Sequence, residues 1–221
     1  MLMKKITLLV LFLLAGFTSM AQVEIGLMVS PTISSPRFIA EDRHNFKNEG
    51  GKLGLGIGVV ADYFFAQNYA FSTGLVYRSK GGEISYTYVD ELGSSRTEKD
   101  DNSLQYIELP VTLKLFTNEV APGTILYFQV GGSLNTKVSA KVDDKKVISG
   151  EKVSKRFSIF ETDAILGGGA EFQMGESTKL FAGLTYHRGL SNTDDFYRDV
   201  LNDKNIGIKN NGFSLDVGVK F

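Results

Sequence analysis

The stretch Gly212–Phe221, GFSLDVGVKF, alternates apolar residues with small or polar ones up to the last residue of the chain. The apolar parity contains Phe213, Leu215, Val217, Val219 and Phe221. Such alternation has the period of a β-strand, in which successive side chains point to opposite faces. The stretch therefore predicts a strand that has one apolar face and ends on an aromatic carboxy terminus.

The same alternation recurs along the chain, with turn-forming residues between the segments. The segments are Val23–Ser30, Leu53–Tyr63, Tyr69–Arg78, Ile107–Leu115, Leu126–Asn135, Asp163–Gln173 and Lys179–His187. Each is about ten residues long, which is the length that a tilted strand needs to cross a bilayer. The pattern predicts an all-β fold, namely a transmembrane antiparallel up-and-down β-barrel of about eight strands.

The connections between these segments alternate in length. Long ones are predicted at Ile33–Lys52, Lys80–Leu104, Thr136–Thr162 and Gly189–Asn211, and short ones at Ala66–Asn68, Thr117–Thr124 and Gly175–Thr178. Outer-membrane barrels have short periplasmic turns and longer extracellular loops. The order therefore favours a barrel with both termini in the periplasm.

Aromatic residues cluster near the predicted ends of the strands, as the girdles of a membrane barrel do. The periplasmic girdle would contain Phe65, Tyr69, Phe71, Phe128, Phe172 and Phe221, and the upper one Tyr77, Tyr186 and Phe213. Phe116 and Phe181 fall on the opposite parity, which we interpret as local bulges. Ile84 and Tyr86 also change parity relative to Leu75, so that Gly81–Gly82 is predicted to be a bulge or the bend of a hairpin.

The amino terminus has the pattern of an export signal. Lys4 and Lys5 precede an apolar run, Ile6–Phe17, and small residues at Ser19 and Ala21 fit a cleavage site after Ala21. The run is shorter than the about 20 residues of a spanning helix, although a signal that stays as an anchor is the alternative. We expect residues 1–21 to be removed and residues 22–221 to form one outer-membrane barrel domain.

Composition excludes several classes of function. The sequence contains no Cys, so it has no disulfide, lipid attachment at Cys or Cys-ligated metal. Its formal net charge of −1 gives no basic face for nucleic acid. With 24 Gly and only 4 Pro, the chain is suited to closely packed strands.

Four segments are similar to the outer-membrane β-barrel family of Bacteroidetes, which includes PorT-like and "porin family" proteins. They are Phe71–Gly82, Leu104–Phe116, Tyr127–Asn135 and Gly212–Phe221, and YIELPVTLK at Tyr106–Lys114 is the most specific. The resemblance implies a Gram-negative protein, a small barrel, export, and insertion by the barrel assembly machinery with Phe221 as its carboxy-terminal signal. PorT itself points to type IX secretion, but the family is defined by the barrel and not by an activity.

The face opposite the lipid parity carries charges of both signs. The lumen-facing polar candidates are Asp62, Arg78, Glu108, Lys114, Glu171, Asp216 and Lys220. The interior of a barrel of about eight strands is just wide enough to be filled by side chains, so these charges should pair. We expect an Arg78–Glu108 pair; a selective ion path lined by these groups is the alternative.

Other motifs give weaker signals. His187, Asp163, Asp194 and Asp195 could meet at the outer rim like the acid and base set of a hydrolase. They match no motif, and a rim histidine, like loop His44, is commonly a solvated or hydrogen-bonded group. We therefore expect no enzyme activity, cofactor or metal.

Two further features are local. The glycine run Gly54–Gly58 lies in a strand and opens no helix, which excludes a nucleotide-binding loop; small residues on the lumen face explain it better. Pro110 lacks an amide hydrogen and is predicted to mark a bulge.

The long connections carry the remaining functional signal. Lys137–Arg156 is rich in lysine and Asp194–Asp203 is acidic, which indicates solvated surfaces or contacts with lipopolysaccharide or a protein. We predict a structural, adhesive or secretion-associated barrel in the outer membrane. Its partners would be outer-membrane lipids, the assembly machinery and possible envelope or secretion proteins, with no nucleic acid. The alternatives are a small selective channel, a soluble lipocalin-like binding barrel and an outer-membrane hydrolase.

Overall fold

The alternating segments form one closed β-barrel in the computed structural model, which describes residues 23–39, 45–89, 93–148, 150–194, 196–200, 203 and 205–221. The predicted signal, residues 1–21, lies outside the described residues, as do His44 and Asp195. The strands are β1 (Val23–Ile39), β2 (Lys47–Ala66), β3 (Tyr69–Val89), β4 (Ser95–Phe116), β5 (Thr124–Val142), β6 (Val147–Ile148), β7 (Glu151–Lys152), β8 (Phe160–Gln173), β9 (Lys179–Gly189) and β10 (Gly207–Lys220). A 3₁₀ turn (Val153–Lys155) and a short helix α1 (Phe196–Val200) complete the elements.

Eight of these strands close the barrel in the order β1, β10, β9, β8, β5, β4, β3, β2, and each neighbouring pair is antiparallel. Closure joins the first and the last strand: Leu27 pairs with Val219, and the Phe221 amide donates to the Ile25 carbonyl at 2.9 Å. β6 and β7 form a separate hairpin between β5 and β8. The predicted all-β barrel of eight strands is confirmed.

The outer wall is apolar and the interior is polar. Leu27, Leu75 and Leu184 expose more than half of their surface, whereas Asp62 and Glu108 are almost fully buried. This is the arrangement of a membrane barrel, because its outer face meets lipid. A lipocalin-like barrel has its apolar residues inside, so the alternative of a soluble binding barrel is wrong. Among the described residues, no helix has the length and apolar composition of a membrane span.

The strands extend much further than the sequence predicted. We call the end with Val23, Phe221 and the short turns the lower end, and the opposite end the upper end. At the upper end β3 continues to Val89 and β4 begins at Ser95, so most of the predicted loop Lys80–Leu104 is strand. β4 has 22 residues, about twice what a bilayer crossing needs. The strands therefore continue past the lipid-facing band.

Above the lipid-facing band the inward face of the wall becomes apolar, and the outward face meets water. Ile84 and Tyr86 keep the inward parity of Arg78, and they are buried against Tyr197 and other apolar side chains. The β3–β4 register has no shift, so Gly81–Gly82 is neither a bulge nor a bend as predicted. The irregularities lie in the pairing of β2 with β3, between Asn48 and Gly56 and again between Phe64 and Ala66. Outside the membrane the outer surface meets water, and the apolar residues therefore turn inward.

The three other predicted bulges are also wrong. Phe116 and Phe181 lie in regular parts of their strand pairings and point into the barrel, where they are buried. Pro110 keeps its register with Ser133, and the shift in the pairing of β4 with β5 lies at Gln105 and Tyr106, where the extra residue is Val138 of β5. Aromatic rings are thus part of the lumen filling and not only of the girdles.

Glycines on the inward face make room for large neighbours, as the sequence suggested for Gly54–Gly58. A Cβ atom at Gly58 would lie 2.7 Å from the Cα atom of Val76. At Gly183 it would lie 2.2 Å from the Tyr127 hydroxyl oxygen. Both distances are too short for a side chain, so these positions need glycine.

Candidate functional site in the barrel lumen

The lumen is filled by side chains in layers. The structure places all seven polar candidates inside, and none exposes more than 6% of its surface. Along β1, β2 and β3, the apolar residues Met28, Val60 and Val76 separate the charges into two groups, and Phe181 joins this layer from β9. We describe the two groups as the lower and the upper network.

The lower network pairs three lysines with three carboxylates. Its members are Lys114, Lys179, Lys220, Glu24, Asp62 and Glu171. The Lys220 ammonium contacts the carboxylates of Asp62 and Glu171 directly. The Lys114 ammonium lies 3.1 Å from both oxygens of Asp62. Charge in this network is balanced, as the cost of burying ions requires.

The upper network lies near the upper edge of the lipid-facing band. Its members are Arg78, Lys80, Glu108, Glu161, Asp163, His187 and Asp216. The expected Arg78–Glu108 pair is formed, since the Arg78 Nε donates to Glu108 Oε2 at 2.8 Å. Lys80 Nζ donates to Asp163 Oδ2 at 2.6 Å and lies 3.7 Å from Glu161 Oε1.

Hydroxyl groups connect Asp216 to this network. The Ser30 hydroxyl donates to Asp216 Oδ1 at 2.6 Å and accepts from Arg78 Nη1 at 3.0 Å. The Thr185 hydroxyl donates to Asp216 Oδ2, also at 2.6 Å. The carboxylate is therefore hydrogen-bonded, but it forms no ion pair with any described residue.

Sequence reasoning missed two members of the upper network, Lys80 and Glu161. Both had been assigned to long loops, whereas both are buried in strands. The available signal was parity, because Lys80 lies two positions after Arg78 and Glu161 lies two before Asp163. Extending the alternation past the apolar segments would have placed both inside.

The interior contains little free space. Between the two networks a cavity of about 50 Å³ borders Arg78, Glu108 and His187, and a second of about 10 Å³ lies above it. The wide space is at the lower mouth, where about 640 Å³ open between Phe64, Phe116 and Lys179. Water-filled channels belong to barrels of about 16 strands.

A cap closes the upper end. We define the cap as Val153–Phe157 together with α1, and Arg156 is its centre. The Arg156 guanidinium donates to Asp100 and Asp194, at 2.8 Å each, and lies 4.2 Å from the centre of the Phe196 ring. The Tyr197 hydroxyl donates to the same Asp100 oxygen at 2.7 Å. One cation therefore holds two loops and β4 together.

Burial controls the electrostatics of the cap. It raises the pKa of the Asp194 carboxyl to about 6, while the neighbouring Arg156 guanidinium opposes the shift. Burial also raises the pKa of the Tyr197 hydroxyl above its ordinary value. Both shifts result from removing these groups from water, as in the interior of a folded domain.

The residues considered for hydrolysis are only partly brought together. His187 and Asp163 both lie in the upper network, but Asp194 pairs with Arg156 of the cap. His187 Nε2 lies 3.3 Å from the Ser214 hydroxyl, and within the described part of the chain Nδ1 has no hydrogen-bond partner. A Ser–His–acid triad needs a carboxylate on that second nitrogen. The described residues therefore do not form such a triad.

The closed antiparallel wall, apolar outside and charged inside, defines a transmembrane β-barrel protein. Residues 18–195 match the family described as "Outer membrane protein beta-barrel domain", and the chain belongs to this family. The protein is accordingly an outer-membrane protein. A search of the curated proteins finds no relative by sequence.

Three solved structures are similar to this chain. Neisserial surface protein A aligns with a TM-score of 0.50 and 14% identity, covering 90% of this chain and 97% of the other. Ail of Yersinia pestis, crystallised with a heparin analogue, gives 0.45 and 16%, covering 90% and 99%. OprG of Pseudomonas aeruginosa gives 0.45 and 13%, covering 90% and 92%. At these identities the likeness concerns the fold alone.

Proposed function

We propose that the protein is a closed structural barrel that holds a rigid β-structure above the outer membrane, and that it does not conduct ions. The observation that carries this proposal is the upper part of the barrel: its strands continue past the lipid-facing band, bury an apolar core of their own and end in the cap. An open pore does not need an apolar core above the membrane. A surface that binds a partner there does, because the core holds it rigid.

The first prediction concerns conductance. The purified protein in a planar bilayer should give no regular single-channel steps in KCl, because the cavities inside the wall are only about 50 and 10 Å³. A 16-stranded porin in the same bilayer provides the positive control. Reproducible steps whose size follows the salt concentration would favour the alternative of a small selective channel.

The hairpin of β6 and β7 and the residues beside it carry lysines, which favour an anionic partner for the surface above the membrane. In the segment 137–156, the Lys137 ammonium donates to backbone carbonyls and the Arg156 guanidinium belongs to the cap, so neither is available to a partner. Lys145, Lys146 and Lys152 are exposed on or beside β6 and β7. We propose that these three lysines contact the phosphate groups of lipopolysaccharide, for which a cluster of ammonium groups is suited.

The second prediction tests this contact. Changing Lys145, Lys146 and Lys152 together to Glu should weaken lipopolysaccharide binding by about 100-fold, since each lysine near an anionic surface contributes about 1 kcal/mol. Titration calorimetry at low salt measures the affinity. The matched control changes the same three residues to Arg, which keeps the charge and should keep the binding. Equal affinity of the Glu variant and the unchanged protein would contradict the contact.

Two finer proposals rest on sequence resemblance. Segments such as Tyr106–Lys114 support a Bacteroidetes origin and a PorT-like, secretion-associated role. The exposed Phe221 at the end of the closing strand supports recognition by the barrel assembly machinery. Surrounding lipids and envelope proteins at the upper surface complete the proposed partners.

A further inference from the structure

The upper network carries more negative than positive charge. Arg78 and Lys80 face four buried carboxylates, those of Glu108, Glu161, Asp163 and Asp216, so the sum is +2 − 4 = −2 when all are ionised. Within the described part of the chain, these carboxylates form ion pairs only with Arg78 and Lys80. Buried charges in proteins are paired or coordinate metals. The network thus lacks two positive charges.

The lower network is the internal comparison. It also contains three clustered carboxylates, those of Glu24, Asp62 and Glu171. There three lysines balance them, and the Lys220 ammonium lies among all three. The lower cluster therefore already has its cation, supplied by the chain itself.

The upper network instead brings three metal-ligating side chains together. Glu108, Asp163 and His187 each offer an atom, and these atoms lie within 4.8 Å of one another. Asp163 Oδ1 and His187 Nδ1 form no hydrogen bond within the described residues, although both side chains are at least 96% buried. Lys80 contacts Asp163 through Oδ2, and Arg78 donates to Glu108 Oε2 at 2.8 Å and, in a longer contact of 3.4 Å, to Oε1.

We propose that the upper network binds one divalent first-row transition cation, such as Zn²⁺, between Glu108, Asp163 and His187. Two carboxylates and one imidazole are a ligand set for Zn²⁺ or its neighbours, whereas Mg²⁺ and Ca²⁺ favour oxygen alone. Tetrahedral bonds of about 2.0–2.2 Å place the ligand atoms about 3.3–3.6 Å apart, which requires side-chain shifts of up to about 1 Å. The adjoining cavity of about 50 Å³ has room for a water molecule as a further ligand.

The charge of such an ion matches the deficit. A dication brings the sum of the upper network from −2 to zero, as in the lower network. His187 Nδ1 would coordinate the ion through its lone pair, while Nε2 donates to the Ser214 hydroxyl and so orients the ring. The proposed site is thus structural, because it lies inside a wall that gives substrates no entry.

The experiment measures metal content and metal binding directly. The full chain without a histidine tag is refolded into detergent, once with EDTA and once with Zn²⁺, and is then dialysed against metal-free buffer. Elemental mass spectrometry should find about one Zn²⁺ per chain in the sample that was refolded with Zn²⁺. With Co²⁺ in place of Zn²⁺, visible absorption bands of the bound ion should appear at the same stoichiometry.

Variants assign the site. His187→Ala and Asp163→Asn should each lower the affinity by more than about 100-fold, the upper end of what the loss of an outer-shell partner costs. His44→Ala removes the only other histidine of the sequence and should leave binding unchanged. The electrophoretic mobility of unheated samples checks that each variant is folded. If Asp163→Asn fails to fold, His187→Ala decides, because among the described residues that ring has a single hydrogen-bond contact, at 3.3 Å to Ser214.

Two results would overturn the proposal. One is a folded protein that retains no Zn²⁺ and shows no Co²⁺ bands, which would mean that protons balance the carboxylates. The other is binding that survives in His187→Ala, or that is lost in His44→Ala, since either result places the ion elsewhere.

Discussion

Replacing Lys220 by alanine is expected to lower the free energy of unfolding by about 3–5 kcal/mol, because it leaves buried carboxylates without their cation. The Lys220 ammonium contacts Asp62 and Glu171 and lies 3.6 Å from Glu24. No described group replaces it, since Lys114 already bonds to Asp62 and Lys179 to Glu24. Urea unfolding in lipid vesicles, followed by electrophoresis without heating, measures the loss.

Matched variants separate charge from packing in this experiment. Lys179→Ala removes a lysine of the same network, but its side chain is 22% exposed at the lower mouth, so about 1 kcal/mol or less should be lost. Adding Asp62→Asn to Lys220→Ala removes one charge of each sign and should restore part of the stability. Equal losses for the two lysines, or no rescue by Asp62→Asn, would show that the balance of charge in the lumen does not stabilise the barrel.

Replacing Arg156 by alanine should open the cap while the barrel stays folded. The change removes the partner of Asp100 and Asp194 and the cation beside the Phe196 and Tyr197 rings. Chymotrypsin added to reconstituted vesicles should then cut near Tyr197 at least about tenfold faster, which corresponds to about 1.4 kcal/mol of local stability. Fragment masses locate the cleavage.

A neighbouring residue supplies the control. Lys155 precedes Arg156 in the chain, but it is 70% exposed and pairs only with the exposed Glu151 at 3.0 Å. Lys155→Ala should therefore leave the cleavage rate unchanged, as surface pairs contribute little. Cleavage that rises equally in both variants would indicate a loop loosened by any substitution. A global loss of the unheated band in Arg156→Ala would show that the cap supports the whole barrel.

The errors at Phe116, Phe181 and Gly81–Gly82 have one common cause. Alternation identifies which residues share a face, and it did so correctly for all eight membrane segments. The assumption that every apolar or aromatic residue faces lipid produced the predicted bulges at Phe116 and Phe181. Their parity, shared with Lys114 and Lys179, already placed them inside. Because of the same assumption, the predicted third strand ended before Gly81–Gly82, although β3 continues there from lipid into water.

What the sequence by itself determined is the side of the wall on which each residue lies, because alternation is a local property of the extended backbone. It also located the closing strand at Gly212–Phe221 and the inward position of Arg78, Glu108 and Lys220. Only the tertiary structure decided which charges meet across the lumen. Lys80 reaches Asp163 across 83 residues and Lys220 reaches Asp62 across 158. Such contacts depend on the tilt and stagger with which eight strands close, and no single strand carries that information.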